Sequence, residues 1–207
     1  MELPRAGTIT FAALAVEVLA APPRCGPTRL VCVDGPSGSG KTTFAARLAA
    51  ALGGSPVLHM DDIYPGWDGL AAAVPLLHDQ VVGPLAAGRA ARYRPYDWHR
   101  GEFAQPRALG TPPVLVVEGA GSGAREVAAR AVLLVWIDAP RDERYRRGIA
   151  RDGDTYRPHW ERWARQEAAH FAEEGTAERA DFRVDGASEV PHDPAREVVL
   201  AAPAPAR

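Results

Sequence analysis

A glycine-rich segment near the start of the chain has the residue types and spacing of a phosphate-binding loop. Gly35-Pro36-Ser37-Gly38-Ser39-Gly40-Lys41-Thr42 matches the pattern G-x-x-x-x-G-K-[ST], and Thr43 follows it. In such a loop the backbone N–H groups close around phosphate oxygens, the lysine reaches the β- and γ-phosphates, and the Ser/Thr hydroxyl binds Mg²⁺. Lys41 is the only lysine among the 24 basic residues, which indicates that this position needs a compact ammonium rather than a guanidinium. The segment Gly35 to Thr43 therefore predicts a site for ATP or GTP.

Acidic residues follow three apolar runs further along the chain. Pro56–Met60 precedes Asp61 and Asp62, Val114–Val117 precedes Glu118, and Val132–Ile137 precedes Asp138. Apolar runs without alternation are typical of parallel strands that are buried on both faces. Because open α/β sheets bind ligands at the carboxyl ends of their strands, these side chains are candidates for one site. For Asp138 alone, capping of the next helix is an equal alternative.

These carboxylates could supply two functions that phosphoryl transfer requires. One is a ligand for Mg²⁺, for which the pair of Thr42 and Glu118 is the natural prediction. The other is a base that accepts the proton of an attacking hydroxyl, for which Asp61 or Asp62 could serve. Adjacent residues of an extended segment point to opposite sides. We therefore expect one aspartate to face the substrate and the other to face the metal or an arginine.

The elements that must position these residues alternate between strand and helix. Leu30–Val33 predicts a buried strand directly before the glycine-rich loop, and Thr42–Leu52 predicts a helix that ends at Gly53. Closing strands are predicted at Asp181–Asp185 and around Glu197–Leu200. This order predicts an α/β fold with three layers, in which a parallel sheet is flanked by helices.

Composition limits the architecture and the partners. With 207 residues and 46% hydrophobic content, we expect a single domain over residues 1–207 with a frayed tail at 201–207. The formal net charge of −2 argues against a nucleic-acid partner and favours a small-molecule substrate. Cys25 and Cys32 support neither a disulfide framework nor a zinc site, so we expect a reduced, cytoplasmic protein.

The early apolar run predicts a helix rather than a targeting segment. Phe11–Ala21 suits an amphipathic helix that is capped by Thr8 or Thr10. A signal peptide is the alternative, but Glu17 interrupts the run and Glu2 lies where a basic leader is required. No run approaches the roughly 20 apolar residues that a membrane span needs, so no membrane partner is expected.

Four segments together resemble the uridine kinase-like P-loop kinases, a group related to phosphoribulokinase and bacterial pantothenate kinase. The segments are Gly35–Thr42, Met60–Tyr64, Val116–Gly119 and Asp142–Asp152, and the resemblance covers roughly residues 29 to 185 in the order of the family. It implies a P-loop NTPase fold with a short arginine-bearing lid. It also implies that Asp61 is the catalytic base, that Tyr64 lies beside the substrate, and that Glu118 joins Thr42 around Mg²⁺.

The predicted lid carries arginines on one helix face. Arg144, Arg147 and Arg151 are spaced i, i+3, i+7, which places them on the same side of a helix. Such a face could cover the triphosphate and neutralise charge that develops during transfer. A solvated helix is the alternative because acidic residues are interleaved, and the family resemblance favours the lid.

Aromatic segments are candidates for the acceptor site. Residues 91–100 combine tyrosine, tryptophan, histidine and arginine, which can stack on a planar ring and bind hydroxyls. The resemblance implies substrate contacts for Tyr96 and His99, and a looser match for Asp68 to a ribose-binding aspartate. Asp62 and Tyr64 complete the predicted substrate-binding set. A surface hairpin whose aromatic side chains pack on the sheet is the alternative.

A later helical pattern lies outside the family resemblance. Trp160, Trp163, Glu167 and His170 are spaced i, i+3, i+7, i+10, which predicts a helix face that packs against the protein. A substrate-facing role for Trp160 or Glu167 is the alternative.

The expectation is an enzyme that uses ATP and Mg²⁺ to phosphorylate a hydroxyl of a small metabolite. A uridine- or cytidine-like nucleoside comes first as acceptor, and a pantothenate-like, sugar or antibiotic hydroxyl follows. A nucleoside monophosphate kinase that grips its acceptor with Arg89, Arg92 or Arg94 is a further alternative. A partner-driven ATPase or switch is the rival class, but the chain has no second lysine for an N-K-x-D segment and no L-S-G-G-Q signature. The sequence is also compatible with a homo-oligomer.

Overall fold

A computed structural model describes residues 7–201 of the chain. Glu2 and residues 202–207 of the predicted tail lie outside the described residues. Ala201 is held in place, because its N–H donates to the carbonyl of Arg183 at 2.9 Å. Among residues 7–201, none of the helices combines the length and the apolar character that crossing a membrane requires.

Strands and helices follow one another as the sequence pattern predicts. The first half contains β1 (Gly7–Thr10), α1 (Phe11–Ala20), β2 (Arg29–Asp34), α2 (Lys41–Ala51), β3 (Val57–His59), α3 (Leu70–Leu77), α4 (Gly83–Ala86), β4 (Ala91–Tyr93), β5 (Tyr96–Asp97) and β6 (Glu102–Phe103). The second half contains β7 (Arg107–Gly110), β8 (Val114–Glu118), α5 (Arg125–Ala128), β9 (Ala131–Asp138), α6 (Arg141–Asp152), α7 (Trp160–Glu174), α8 (Thr176–Arg179), β10 (Phe182–Asp185) and β11 (Glu197–Leu200).

Seven strands form the central sheet in the order β1-β11-β10-β9-β2-β8-β3. From β10 to β3 every neighbouring pair is parallel, whereas β11 runs antiparallel to both β10 and β1. Helices cover both faces, so the sheet has a hydrophobic core on each side. The predicted three-layer α/β fold is confirmed.

Strand β2 shows why the apolar runs do not alternate. Leu30 and Cys32 belong to the core on the side of α3 and α7, whereas Val31 and Val33 belong to the core beneath α1 and α2. All four side chains are fully buried. A strand in the middle of a parallel sheet needs apolar residues at successive positions because both of its faces are covered. Both cysteines, Cys25 and Cys32, are buried and free.

The amino-terminal helix is confirmed, and its cap is Thr10. The Thr10 hydroxyl accepts the N–H of Ala13 at 3.1 Å, which satisfies one of the free donors of the first turn. The short strand β1 directly before it was not predicted. It pairs with β11, the last strand of the described chain, so its partner is remote in sequence.

One local prediction was wrong, and one alternative is not realised. The strand predicted to reach Met60 ends at His59, and Met60–Asp62 form a 3₁₀ turn. The two aspartates are therefore not in an extended segment. Asp138 does not cap α6, whose N-cap is Pro140; its carboxylate accepts the N–H of Ala139 at 2.7 Å instead.

Candidate functional site

The glycine-rich loop connects β2 to α2 at the carboxyl end of the parallel strands. Gly40 caps α2 with a φ of 106°, a conformation that side-chain-bearing residues rarely adopt. Gly38 lies against α6, where an added Cβ would come within 2.3 Å of the carbonyl oxygen of Arg144. Lys41 is only 7% exposed, and its Nζ donates to the carbonyl of Pro36 at 2.8 Å. The loop thus holds an ammonium and the amino end of a helix together, as phosphate recognition requires.

Thr42 and Glu118, the predicted magnesium pair, are in contact. The Thr42 hydroxyl donates to Oε1 of Glu118 at 3.1 Å. The same oxygen lies 2.6 Å from Nδ1 of His59 at the end of β3. This hydrogen bond is the main reason that the pKa of His59 is raised. His59 was not predicted as a site residue, although it stands directly before the Met60–Asp62 turn.

Asp34 is a buried carboxylate that no sequence motif indicated. It accepts the N–H groups of Gly35 at 2.7 Å, Gly121 at 3.0 Å and Gly123 at 2.8 Å. Burial raises its pKa, and the hydrogen bonds from Gly35 and Gly123 oppose that shift. Asp34 joins the start of the glycine-rich loop to the segment after Glu118, so it holds the two halves of the site in register.

The adjacent aspartates face different surroundings. Asp61 is exposed to a cleft that contains Lys41 and Arg151. Desolvation within the walls of this cleft raises its pKa, the charge of Glu118 adds to the rise, and Arg151 opposes it. Asp62 does not line this cleft. Its carboxylate accepts a hydrogen bond from the hydroxyl of Tyr93 at 3.2 Å. Its guanidinium neighbour is Arg107, at 3.9 Å.

Two cavities meet at Asp61. The first, called the loop cavity, has a volume of about 300 Å³ and is lined by Gly38, Lys41, Thr42, Asp61, Glu118, Arg147, Arg151 and others. The second, called the aromatic cavity, has a volume of about 560 Å³ and is lined by Tyr64, Trp67, Trp98, His99, Tyr156, Trp163 and others. Asp61, Glu118 and Arg151 belong to both. A molecule in one cavity can therefore contact a molecule in the other.

The three predicted lid arginines of α6 divide into two groups. Arg147 and Arg151 line the loop cavity. Arg144 instead donates to the carbonyl of Ala139 at 3.0 Å, and its Nε lies 3.5 Å from Asp138. Two of the three predicted lid arginines therefore face the cavity, and the third fixes the start of α6.

The predicted substrate-binding residues are only partly brought together. Tyr64 and His99 line the aromatic cavity. Tyr96 packs edge-on against Trp98 and Phe103, with ring centroids 5.4 and 5.3 Å away. Asp68 forms an exposed ion pair with Arg162. Residues 91–100 contribute to two antiparallel strand pairs, β4 with β7 and β5 with β6.

The aromatic cavity also contains Trp67, Tyr156 and Trp163, which are not in the predicted substrate-binding set. Trp163 packs edge-on against the predicted residue Tyr64, whose hydroxyl donates to the carbonyl of Ala120 at 2.8 Å. Trp67 stacks on His159 with centroids 4.4 Å apart. The chain has five tryptophans, and the clustering of several of them in the sequence was the signal that could have indicated this cavity. The arginines considered for an acceptor phosphate, Arg89, Arg92 and Arg94, line neither cavity.

Helix α7 packs as predicted and also reaches the loop cavity. Trp160 is 3% exposed and packs on Tyr145 and Tyr156. Trp163 and Glu167 extend from the same face to line the loop cavity. Glu167 accepts the backbone N–H of Ser37 at 2.7 Å, so α7 contacts the glycine-rich loop directly.

The arrangement suits a nucleoside triphosphate with Mg²⁺. Oxygen ligands are available from Thr42 and Glu118, and Mg²⁺ prefers oxygen ligands. Within residues 7–201 no three histidine, cysteine or acidic side chains gather around a common metal position. A magnesium ion here would take its other ligands from phosphates and water.

Comparison with known proteins supports the architecture. No protein-family model matches the chain, and none of the curated proteins matches it by sequence. The chain is similar to the structure of a "possible uridine kinase" from Bacillus stearothermophilus, with 23% identity and a TM-score of 0.58 over 84% of this chain and 97% of that chain. It is also similar to a candidate fructose transport system kinase from Silicibacter sp. TM1040, with 22% identity and a TM-score of 0.53 over 83% of this chain and 95% of that chain.

At these identities the likeness concerns the fold alone. Both similar structures are covered over almost their whole length, so the shared architecture extends over nearly all of each of them. This chain therefore has the α/β fold of the P-loop kinases, with seven strands in its mainly parallel sheet.

Proposed function

We propose that this protein is an ATP-dependent kinase that transfers the γ-phosphate to a hydroxyl group of a small metabolite, with a uridine- or cytidine-like nucleoside as the leading acceptor. The observation that carries the proposal is the meeting of the loop cavity and the aromatic cavity at Asp61 and Arg151. A kinase needs such a junction because donor phosphate and acceptor hydroxyl must be brought into line.

The loop cavity is the proposed site for the triphosphate. Lys41 would move from the Pro36 carbonyl to the phosphates, and the amides at the start of α2 would bind phosphate oxygens. Thr42 and Glu118 would hold Mg²⁺, which when bound neutralises charge on the β- and γ-phosphates. Arg147 and Arg151 would add positive charge from α6.

A third cavity offers a place for the base of the nucleotide. It has a volume of about 290 Å³ and adjoins the glycine-rich loop at Gly40 and Thr43. Phe44 and Val198 supply apolar walls, and Arg47 supplies a cation. A flat heterocycle could bury its faces there while its phosphates reach the loop cavity. The third cavity shares no lining residue with the aromatic cavity. A nucleotide base bound there would leave the aromatic cavity free for the acceptor.

Asp61 is the proposed base. It lies where the two cavities join, and its pKa is raised by desolvation in the cleft. A carboxylate with a raised pKa accepts a proton more readily than an ordinary aspartate does. It would take the proton of the acceptor hydroxyl as the γ-phosphate is transferred.

The aromatic cavity is the proposed acceptor site. Its tryptophan and tyrosine side chains favour a flat acceptor that can stack, and His99 at its rim can bind a hydroxyl. Both similar structures carry the names of kinases, one for uridine and one for fructose transport. Those names support phosphorylation of a hydroxyl-bearing small molecule and leave nucleoside and sugar as the classes to compare. We also propose a cytoplasmic location, where ATP is available.

A screen for ADP release tests the proposal. Purified protein with ATP and Mg²⁺ would be assayed against nucleosides, nucleoside monophosphates, sugars, pantothenate and hydroxyl-bearing antibiotics. We expect ADP release that depends on one acceptor class, with the phosphate recovered on that acceptor. A Lys41→Ala variant controls for contaminating kinases. If ATP turns over only with a protein partner and never with any metabolite, the protein is a partner-driven ATPase instead.

A further inference from the structure

Glu167 is a buried acidic residue in the wall of the loop cavity. Its side chain is 3% exposed. Oε1 accepts two hydrogen bonds, from the backbone N–H of Ser37 at 2.7 Å and from Nε1–H of Trp163 at 2.8 Å. The hydrogen bonds among residues 7–201 include none at Oε2. The carboxyl group is therefore held by one oxygen, and the other is left for a ligand in the cavity.

No cation pairs with this carboxyl group in the part of the chain that the structure describes. Lys41, which lines the same cavity, donates to the carbonyl of Pro36 at 2.8 Å. Arg144 lies 3.5 Å from Asp138 and donates to backbone carbonyls. Removing an ionised carboxylate from water without a paired cation is costly, and such a group usually takes up a proton instead.

Titratable groups from several elements lie around Glu167. Those that line the loop cavity with it are Lys41 of α2, Arg147 and Arg151 of α6, Asp61 and Tyr64 from the segment after β3, and Glu118 of β8. Arg144 of α6 and Tyr156, which precedes α7, also interact electrostatically with Glu167. Burial raises the pKa of Glu167, and Lys41 is the strongest opposing influence. A triphosphate in the same cavity would engage Lys41 and bring several negative charges. Both changes favour the protonated form.

We propose that Glu167 acts as a neutral carboxylic acid that donates a hydrogen bond from Oε2 to a phosphate oxygen of the bound nucleotide. This inference rests on the proposed binding of ATP in the loop cavity. Because both N–H donors point to Oε1, the proton is left on Oε2. A neutral acid can donate to a phosphate, whereas an ionised carboxylate there would repel it. The phosphate site is thus completed from α7, and Trp163 links it to the aromatic cavity.

Comparing Glu167→Gln with Glu167→Ala tests whether Glu167 acts as a neutral acid or as an ionised carboxylate. The amide introduced by Glu167→Gln would be a neutral equivalent, since its oxygen accepts both N–H groups and its nitrogen donates at the place of the acid proton. We expect Glu167→Gln to bind ATP within about threefold of the unaltered protein. Glu167→Ala, which removes the donor and leaves Ser37 N–H and Trp163 Nε1–H unbonded, should weaken binding by about tenfold or more. Equal, large losses in both variants would overturn the inference, because they would mean that the negative charge is needed.

A measurement on the unaltered protein tests the charge state of Glu167 directly. Carbon NMR of protein labelled at the glutamate side-chain carboxyl carbons reports the charge of each glutamate. With ATP bound at neutral pH, we expect one glutamate in the neutral acid form, and its signal should be missing in Glu167→Gln. If every glutamate is ionised in the ATP complex, the inference is wrong. Normal ATP binding without phosphate transfer to any acceptor would refute the proposed kinase function and leave this inference standing.

Discussion

The indole Nε1 of Trp98 donates a hydrogen bond to the backbone carbonyl of Asp61 at 2.9 Å. Trp98 directly follows β5 and lines the aromatic cavity, while Asp61 lies in the turn after β3. The contact joins two segments that are 37 positions apart in the chain. The wall of the proposed acceptor site is therefore tied to the backbone of the proposed base.

A variant that loses the hydrogen bond from Trp98 to Asp61 but keeps an aromatic ring should use the acceptor less efficiently, with little change in its use of ATP. Trp98→Phe loses the donor and retains an aromatic wall. A neutral hydrogen bond contributes about 0.5–1.5 kcal/mol, so we expect kcat/KM for the acceptor to fall by about two- to tenfold with little change in KM for ATP. Trp98→Ala should lower it further. Steady-state kinetics with each substrate varied measures this, and equal effects on ATP and acceptor would argue against the assignment.

Loss of the carboxylate of Asp61 should slow phosphate transfer strongly and spare nucleotide binding. General-base catalysis contributes about 10²- to 10⁴-fold, so Asp61→Asn should lower kcat by roughly that factor while the Kd for ATP stays near that of the unaltered protein. Asp62→Asn is the matched control, because Asp62 faces Tyr93 and Arg107. It should lower kcat by less than about tenfold. Comparable losses of kcat in both variants would contradict the assignment of Asp61, and not Asp62, as the base.

The pH dependence of the reaction provides a second test of Asp61. The base must be ionised to accept a proton, and its pKa is raised by desolvation and by Glu118. Acceptor kcat/KM should therefore fall as the pH drops through this raised pKa, at a higher pH than an ordinary aspartate with a pKa of about 3.9 would give. The residual activity of Asp61→Asn should lack this acid limb. An unchanged acid limb in the variant would assign the titration to another group, with His59 the first to examine.

Neutralising Glu118 should weaken the apparent affinity of the enzyme for Mg²⁺. Glu118→Gln keeps an oxygen near Thr42 but removes the negative charge that favours a hard cation. We expect the Mg²⁺ concentration for half-maximal activity to rise by about tenfold. Exposed Glu126 supplies the control variant Glu126→Gln, which should behave as the unaltered protein. An unchanged Mg²⁺ titration in Glu118→Gln would remove this residue from the metal site.

Alanine substitutions at two glycines with similar φ angles can distinguish backbone strain from steric contact. Gly38 has a φ of 79° and lies against the Arg144 backbone, whereas Gly54 has a φ of 82° with no atom within 4 Å of an added Cβ. Gly54→Ala should cost only the conformational strain, about 1 to 2 kcal/mol. Gly38→Ala should cost more, because α6 must move away from the loop. Chemical denaturation measures the difference in free energy of unfolding.

The Gly38→Ala variant should also respond less to ATP. A nucleotide that binds only the folded state raises the melting temperature, and displacement of α6 would move the loop and the arginines that line the proposed phosphate site. We expect ATP to stabilise Gly54→Ala normally. Equal free energies of unfolding and equal ATP responses in the two variants would show that the contact between Gly38 and α6 is unimportant.

Much of the fold was predictable because its signals are local. The unbroken apolar runs of β2, β8 and β9 reflect burial on both faces of the sheet, and Thr10 marks the start of α1 through a hydrogen bond within one turn. The turn at Met60–Asp62 was not predictable in this way. The apolar run continues through Met60 because that side chain is fully buried, although the backbone has already left the strand.

The sequence by itself predicted the glycine-rich loop between β2 and α2 and the pairing of Thr42 with Glu118. Gly40 and Lys41 must be those residue types within one short segment, since the positive φ and the ammonium are local requirements. Glu118 follows from its place at the end of an apolar run. Only the tertiary structure decided that Asp61 and not Asp62 faces the cavities, and that Glu167 meets Ser37 across 130 positions of chain. The physical reason is that these contacts depend on how α7, the hairpins and the turns pack on the sheet, and no spacing within one segment encodes that packing.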